Sequence, residues 1–151
     1  MNNVVANNLC SEVGVFHIAL FRDSQIGELN YSHYAIGSTN NYFNEPTSAH
    51  KDGVEATLKS TCIGTSIDDF VVKFSVRNPE YVKLEVDGNE LDILNGVCAI
   101  LKSPVKEICI EFNARGIGSI KQLREFLFEF GFALSEQISH AKGVGNAIFK
   151  K

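Results

Sequence analysis

The chain has 151 residues, of which 44% are hydrophobic and 21% are charged, and it carries a net charge of −4. That length suits one domain with a real buried core, and the polarity is ordinary for a soluble globular chain. Nucleic acid is not expected as a partner, because phosphate binding needs clustered Lys and Arg, and here the lysines are mostly single.

Val4 to Leu9 reads as the tail of a helix weakened by asparagines. Val13 to Phe21 is almost continuously apolar, as expected for a strand buried on both faces. Ile26 to Tyr31 alternates and predicts a second, more exposed strand after a turn at Asp23-Ser24. The polar stretch from Gly37 to Gly53 exceeds the usual loop and reads as a functional lid or a segment without fixed structure. Val54, Ala56 and Leu58 alternate, suggesting a short edge strand.

Ser66 before Ile67-Asp68-Asp69 is a helix start, with an N-cap hydroxyl and acids in the first turn. Ile67, Phe70, Val71 and Phe74 follow at helical spacing as one buried face. Pro79 separates that helix from a strand at Tyr81 to Val86. Leu91, Leu94, Val97, Cys98 and Leu101 then form a helix that Pro104 closes, and Val105 to Phe112 is a third buried strand. Ser119 caps a helix burying Leu123, Phe126, Leu127 and Phe130, which Gly131 stops. Phe132 to Ile138 and Asn146 to Phe149 form an antiparallel pair. The order is that of the second half of a doubly wound α/β domain, with no internal repeat and no second domain.

Cys10, Cys62, Cys98 and Cys109 lack any Cys-x-x-Cys spacing, and Cys98 and Cys109 read as small buried hydrophobes. His17, His33, His50 and His140 are scattered, so no metal site is expected. The first ten residues lack a signal-peptide pattern, and no run approaches the roughly 20 apolar residues of a membrane span. The expected location is the cytoplasm, away from membranes.

The stretch with most chemical content is Tyr81-Val82-Lys83-Leu84-Glu85-Val86-Asp87-Gly88-Asn89-Glu90. An apolar strand runs into acids and a glycine, and a helix follows at once. In open α/β sheets, ligands sit outside the carboxyl ends of strands, where such a turn delivers its side chains. Glu85 and Asp87 there are candidates for a base or for holding hydroxyl groups, with Glu111 flanking them from the next strand. Alternatively, Asp87 and Glu90 favour the helix N-terminus and Glu111 ends a strand at the surface. His17 faces the cleft or is a hydrogen-bonded core residue. Tyr31, Tyr34, Tyr42 and Phe43 line a sugar-stacking surface or pack beneath the long loop.

This motif resembles that of FkbM-type methyltransferases, which read Lys-Ile-Asp-Val-Glu-Gly, then a Glu two residues on and Leu-x-Gly. Gly88, Glu90, Leu94 and Gly96 fall in place, while the two acids are exchanged as Glu85 and Asp87. Val15 to Leu20, Thr65 to Phe70, Val105 to Asn113, Phe130 to Phe132 and Asn146 to Lys150 resemble further family segments in the same order.

The resemblance implies a partial, doubly wound Rossmann-like methyltransferase sheet, mainly parallel with an antiparallel C-terminal hairpin. It implies S-adenosylmethionine as cofactor and a sugar or polyketide hydroxyl as acceptor. Glu85, Asp87 and Glu111 would be catalytic, Ala19 and Leu20 would lie against the cofactor, and His17 and Glu90 against substrate. The family's glycine-rich turn and ribose-binding acid have no counterpart in these residues, so the chain is expected to begin after both. It is therefore expected not to bind the cofactor alone. It would be either the substrate-side half of an O-methyltransferase or a non-catalytic binding or structural module. Strand edges left without neighbours predict a homodimer.

Overall fold

A computed structural model describes residues 2–33, 35, 41–44, 58–86, 88–102, 104–113, 118–140 and 143–151. The fold is α/β, with two four-stranded mixed sheets and five helices among the described residues. Asp87, Tyr34 and most of the polar stretch from Gly37 to Gly53 lie outside the described residues, as do Val54 and Ala56.

The first sheet has the order β1-β4-β2-β3. Its strands are β1 (Ala19–Leu20), β2 (Gln25–Tyr31), β3 (Tyr42–Phe43) and β4 (Leu58–Thr65). β4 runs parallel to β1 and antiparallel to β2, with Ile26 opposite Ile63. Gly27 and Gly64 make room for the ring of Phe43, since a methyl group at either would come within 2.5 Å of it. Phe43 is therefore core, and its ring meets Phe21 edge-on at 5.3 Å. Tyr31 packs differently, its hydroxyl 3.1 Å from Ser60 Oγ.

Two expectations change here. The apolar run from Val13 to Phe21 is a strand only at Ala19–Leu20. β1 ends its sheet, so no described strand flanks the rest of the run, and Phe16 stays 57% exposed. His17 thus lies in exposed non-strand chain rather than on a buried strand. Conversely, Leu58 opens a long internal strand, not a short edge one.

The short helix α1 (Asn2–Ala6) buries nothing. Helix α2 (Ile67–Phe74) starts as expected, with Ser66 Oγ accepting the Asp69 N–H at 3.0 Å. Its apolar face is half-buried rather than buried, and Phe74 is exposed.

The second sheet, of order β5-β6-β8-β7, contains β5 (Tyr81–Leu84), β6 (Glu107–Asn113), β7 (Ala133–Ser139) and β8 (Val144–Lys150). β5 and β6 are parallel, while β6–β8 and β8–β7 are antiparallel. With only β1–β4 and β5–β6 parallel among the six pairings, the architecture is mixed rather than mainly parallel. The closing hairpin is antiparallel as read.

One face of this sheet holds the core. Leu84, Ile108, Ile110, Phe112, Ala147 and Phe149 pack there with Ile93, Leu101, Leu123 and Leu127. Those four come from α3 (Glu90–Asn95), α4 (Cys98–Lys102) and α5 (Ile120–Phe128). Alternation puts Tyr81, Lys83, Cys109 and Ile148 on the other face, which is half-buried to exposed. Cys98 and Cys109 are half-buried rather than buried, and all four cysteines are free thiols.

The helix expected over Leu91 to Leu101 is two helices, broken at Gly96 and Val97. A non-local cap causes the break. The Asp68 carboxylate of α2 accepts from Ala99 N at 2.8 Å and Ile100 N at 3.1 Å, while Asp68 N donates to Gly96 O at 3.2 Å. Gly96 also lies against the first sheet, where a Cβ would come within 2.5 Å of Phe21 O. No described helix is long and apolar enough to cross a membrane.

Candidate functional site

The parallel register of β5 and β6 pairs Lys83 with Cys109 and Leu84 with Ile110. Continuing that register by one step brings Glu85, just past the end of β5, level with Glu111 within β6. Both follow the alternation onto the open face, away from the core. Lys83 is ion-paired with Glu85 on that face. The hydrogen bond and charge of Glu85 hold the Lys83 ammonium above its ordinary pKa, with smaller help from Cys109 and Glu111. The carboxylates of this row therefore sit in the field of a cation.

Past Glu85 the chain turns inward. Gly88 adopts φ +102°, which favours glycine, and its N–H is shared between Val86 O at 3.1 Å and Glu90 Oε1 at 3.4 Å. Glu90 is buried at the first position of α3.

Asn89 and Asp92 were not singled out by the sequence, yet they organise the site. The Asn89 side chain behaves like a neighbouring strand toward Phe43. Its Oδ1 accepts from Phe43 N at 3.2 Å, and its Nδ2 donates to Phe43 O at 3.3 Å. The same Nδ2 lies 3.4 Å from Asp92 Oδ2, and Asp92 Oδ1 accepts from Arg22 Nη1 at 3.4 Å. Asp92 is 3% exposed, so its charge is held by these bonds and by the half-exposed Arg22. Arg22 also lies 5.0 Å above the Phe21 ring. The first turn of α3 is thereby tied to the β1–β2 turn and to β3. The available signal in the sequence was a polar residue just before a helix start, and in the structure that side chain makes no cap bond of its own.

The cofactor positions can be tested on the same geometry. Ala19 and Leu20 are half-buried, paired with Gly64 and Thr65, and lead directly into buried Phe21. The Phe21 N–H is bonded to Thr65 O at 2.9 Å. Two described glycines with positive φ stand between a strand and the helix that follows it, Gly88 and Gly118. Both amides are engaged, that of Gly118 with Gln122 Oε1 at 2.8 Å. A sulfonium amino acid needs a turn with open N–H groups for its carboxylate. At these two turns the glycine N–H groups are already bonded within the chain. The described residues contain no group of acids, histidines and cysteines that could hold a metal.

Residues 4–134 match the family model of the methyltransferase FkbM domain. The chain belongs to the FkbM methyltransferase family. No curated relative and no solved structure matches it. FkbM methyltransferases generally depend on S-adenosylmethionine. Within the matched span lie the acidic turn, the Asn89 clamp and the paired carboxylates of β5 and β6.

Proposed function

We propose that this chain is a non-catalytic module on the FkbM methyltransferase fold, working through binding or assembly rather than methyl transfer of its own. The supporting observation is the acidic turn, whose described polar groups are engaged inside the molecule. Gly88 N–H goes to Val86 and Glu90, Asn89 to Phe43, and Asp92 to Asn89 and Arg22. Groups committed to buried bonds are expensive to redirect toward a ligand. The N–H groups of Gly88 and Gly118, at the two strand-to-helix turns, are bonded within the chain, so this chain alone is expected not to hold S-adenosylmethionine, on which the family generally depends.

A second reading is supported by the Glu85–Glu111 row. In it, the chain is the acceptor-side half of an O-methyltransferase acting on a sugar or polyketide hydroxyl. Glu85, Asp87 or Glu111 would then take the hydroxyl proton, with His17 and Glu90 contacting the acceptor. Incubation with methyl-labelled S-adenosylmethionine, hydroxylated acceptors and the separately supplied cofactor-side half of a family enzyme separates the two. The first reading predicts no transfer above a blank that holds the cofactor-side half alone. Transfer that is abolished by Glu85→Gln or Glu111→Gln would establish the second.

A further inference from the structure

We propose that two copies of this chain join edge to edge through β5, in antiparallel register centred on Leu84. The proposal stands apart from the question of methyl transfer. It rests on the end position of β5 and on the order of its side chains.

Among the described residues, β5 is an end strand of its sheet and its one strand neighbour is β6. The residues from Val82 to Val86, which run two past the end of β5, read Val-Lys-Leu-Glu-Val. Leu84 belongs to the core, and Val82 and Val86 pack against it from the same face. Lys83 and Glu85 point to the open face, with side chains 67% and 52% exposed.

An exposed strand edge is a template for another strand, and a lysine on it normally repels such additions. Here the lysine is followed two residues later by a glutamate, so the charge pattern inverts about Leu84. Rotation by a two-fold axis perpendicular to the sheet at Leu84 keeps each face on its own side. It sets Val82 opposite the partner's Val86, and Leu84 opposite the partner's Leu84. Lys83 then lies opposite the partner's Glu85, and Glu85 opposite the partner's Lys83.

Directly opposed residues on one sheet face are the unit of strand pairing, and opposite charges there stabilise. Other registers fail by the same rule. Centring on Lys83 or on Glu85 opposes two like charges, and a slip of one residue sends the valines to the wrong face. Of the registers centred on Lys83, Leu84 and Glu85, the segment is therefore complementary to itself in one, which identifies a second copy as the occupant. The pairing is isologous and closes at two subunits, joining two four-stranded sheets into one. By contrast, β1 offers an edge of two residues.

Light scattering on the full chain at micromolar concentration tests this. The expected mass is twice the 16.6 kDa of one chain. Lys83→Glu and Glu85→Lys, each alone, oppose like charges at two places in the joint and should weaken dimerisation at least tenfold. The double variant Lys83→Glu/Glu85→Lys restores the complementarity and should recover the dimer. Both side chains are more than half exposed, so the variants should keep the parent circular dichroism spectrum. A monomeric parent chain overturns the proposal. So does a dimer indifferent to the single changes, or one that the double change fails to restore.

Discussion

Replacing Asn89 with leucine is expected to destabilise the fold by roughly 3–5 kcal/mol. The side chain is 4% exposed and serves three partners at once, the N–H and C=O of Phe43 and the Asp92 carboxylate. Leucine keeps approximately the volume and removes every bond. Each buried polar group left without its partner costs about 1–3 kcal/mol, which is why the sum exceeds an ordinary lost hydrogen bond. Urea unfolding gives the stability change from the midpoint at constant slope. Amide exchange adds a local readout, because the Phe43 N–H should lose protection before β6 or β8 does. A loss below about 1 kcal/mol with unchanged exchange at Phe43 would show that the clamp is not what ties β3 to α3.

Phe149→Ala should cost about as much for a different reason. Phe149 is fully buried on β8, opposite Ile108 on one side and Leu134 on the other. Truncation there removes apolar burial and leaves a cavity between two strands held in register, at about 3–5 kcal/mol. That is a large part of the roughly 5–15 kcal/mol that holds a domain together. Thermal unfolding should fall by about 10 °C or more. Phe128→Ala, at a residue 76% exposed on α5, is the matched control and should stay within about 0.5 kcal/mol of the parent. If the two variants lose similar stability, the core assignment of β8 is wrong.

These two residues mark what the sequence could and could not reveal. The strand that carries Phe149 was legible, because Asn146 to Phe149 follows a glycine-containing turn after another strand-like run. β5, β6, α5 and the closing hairpin were readable from local apolar patterning, although β6, read as a buried strand, leaves Cys109 and Glu111 half-buried on its open side. The N-cap at Ser66 and the stop at Gly131, whose φ is +84°, are also local devices.

Failures occurred where the deciding partner is distant in sequence. Val13 to Ile18 has the composition of a buried strand, but no described strand flanks it. β4 carries Lys59, Ser60 and Thr61 at its start and becomes a strand because β2 pairs along its whole length. The break at Gly96 depends on Asp68, about thirty residues earlier in the chain. Asn89 and Phe43 are 46 residues apart, and no spacing rule connects them.

The site follows the same division. The acidic motif itself, and the adjacency of Glu85 and Glu111, could be read from two strands and a parallel crossover. The uses of Asn89 and Asp92 could not, because their partners Phe43 and Arg22 arrive from β3 and the β1–β2 turn.

The most direct test of this account is a calorimetric titration of S-adenosylmethionine into the chain. The family generally depends on this cofactor, and the glycine amides of the two strand-to-helix turns, Gly88 and Gly118, are bonded within the chain. The expected result is no saturable heat. A dissociation constant in the low micromolar range, corresponding to about 8 kcal/mol of binding free energy, would contradict the account, since such affinity requires a formed site.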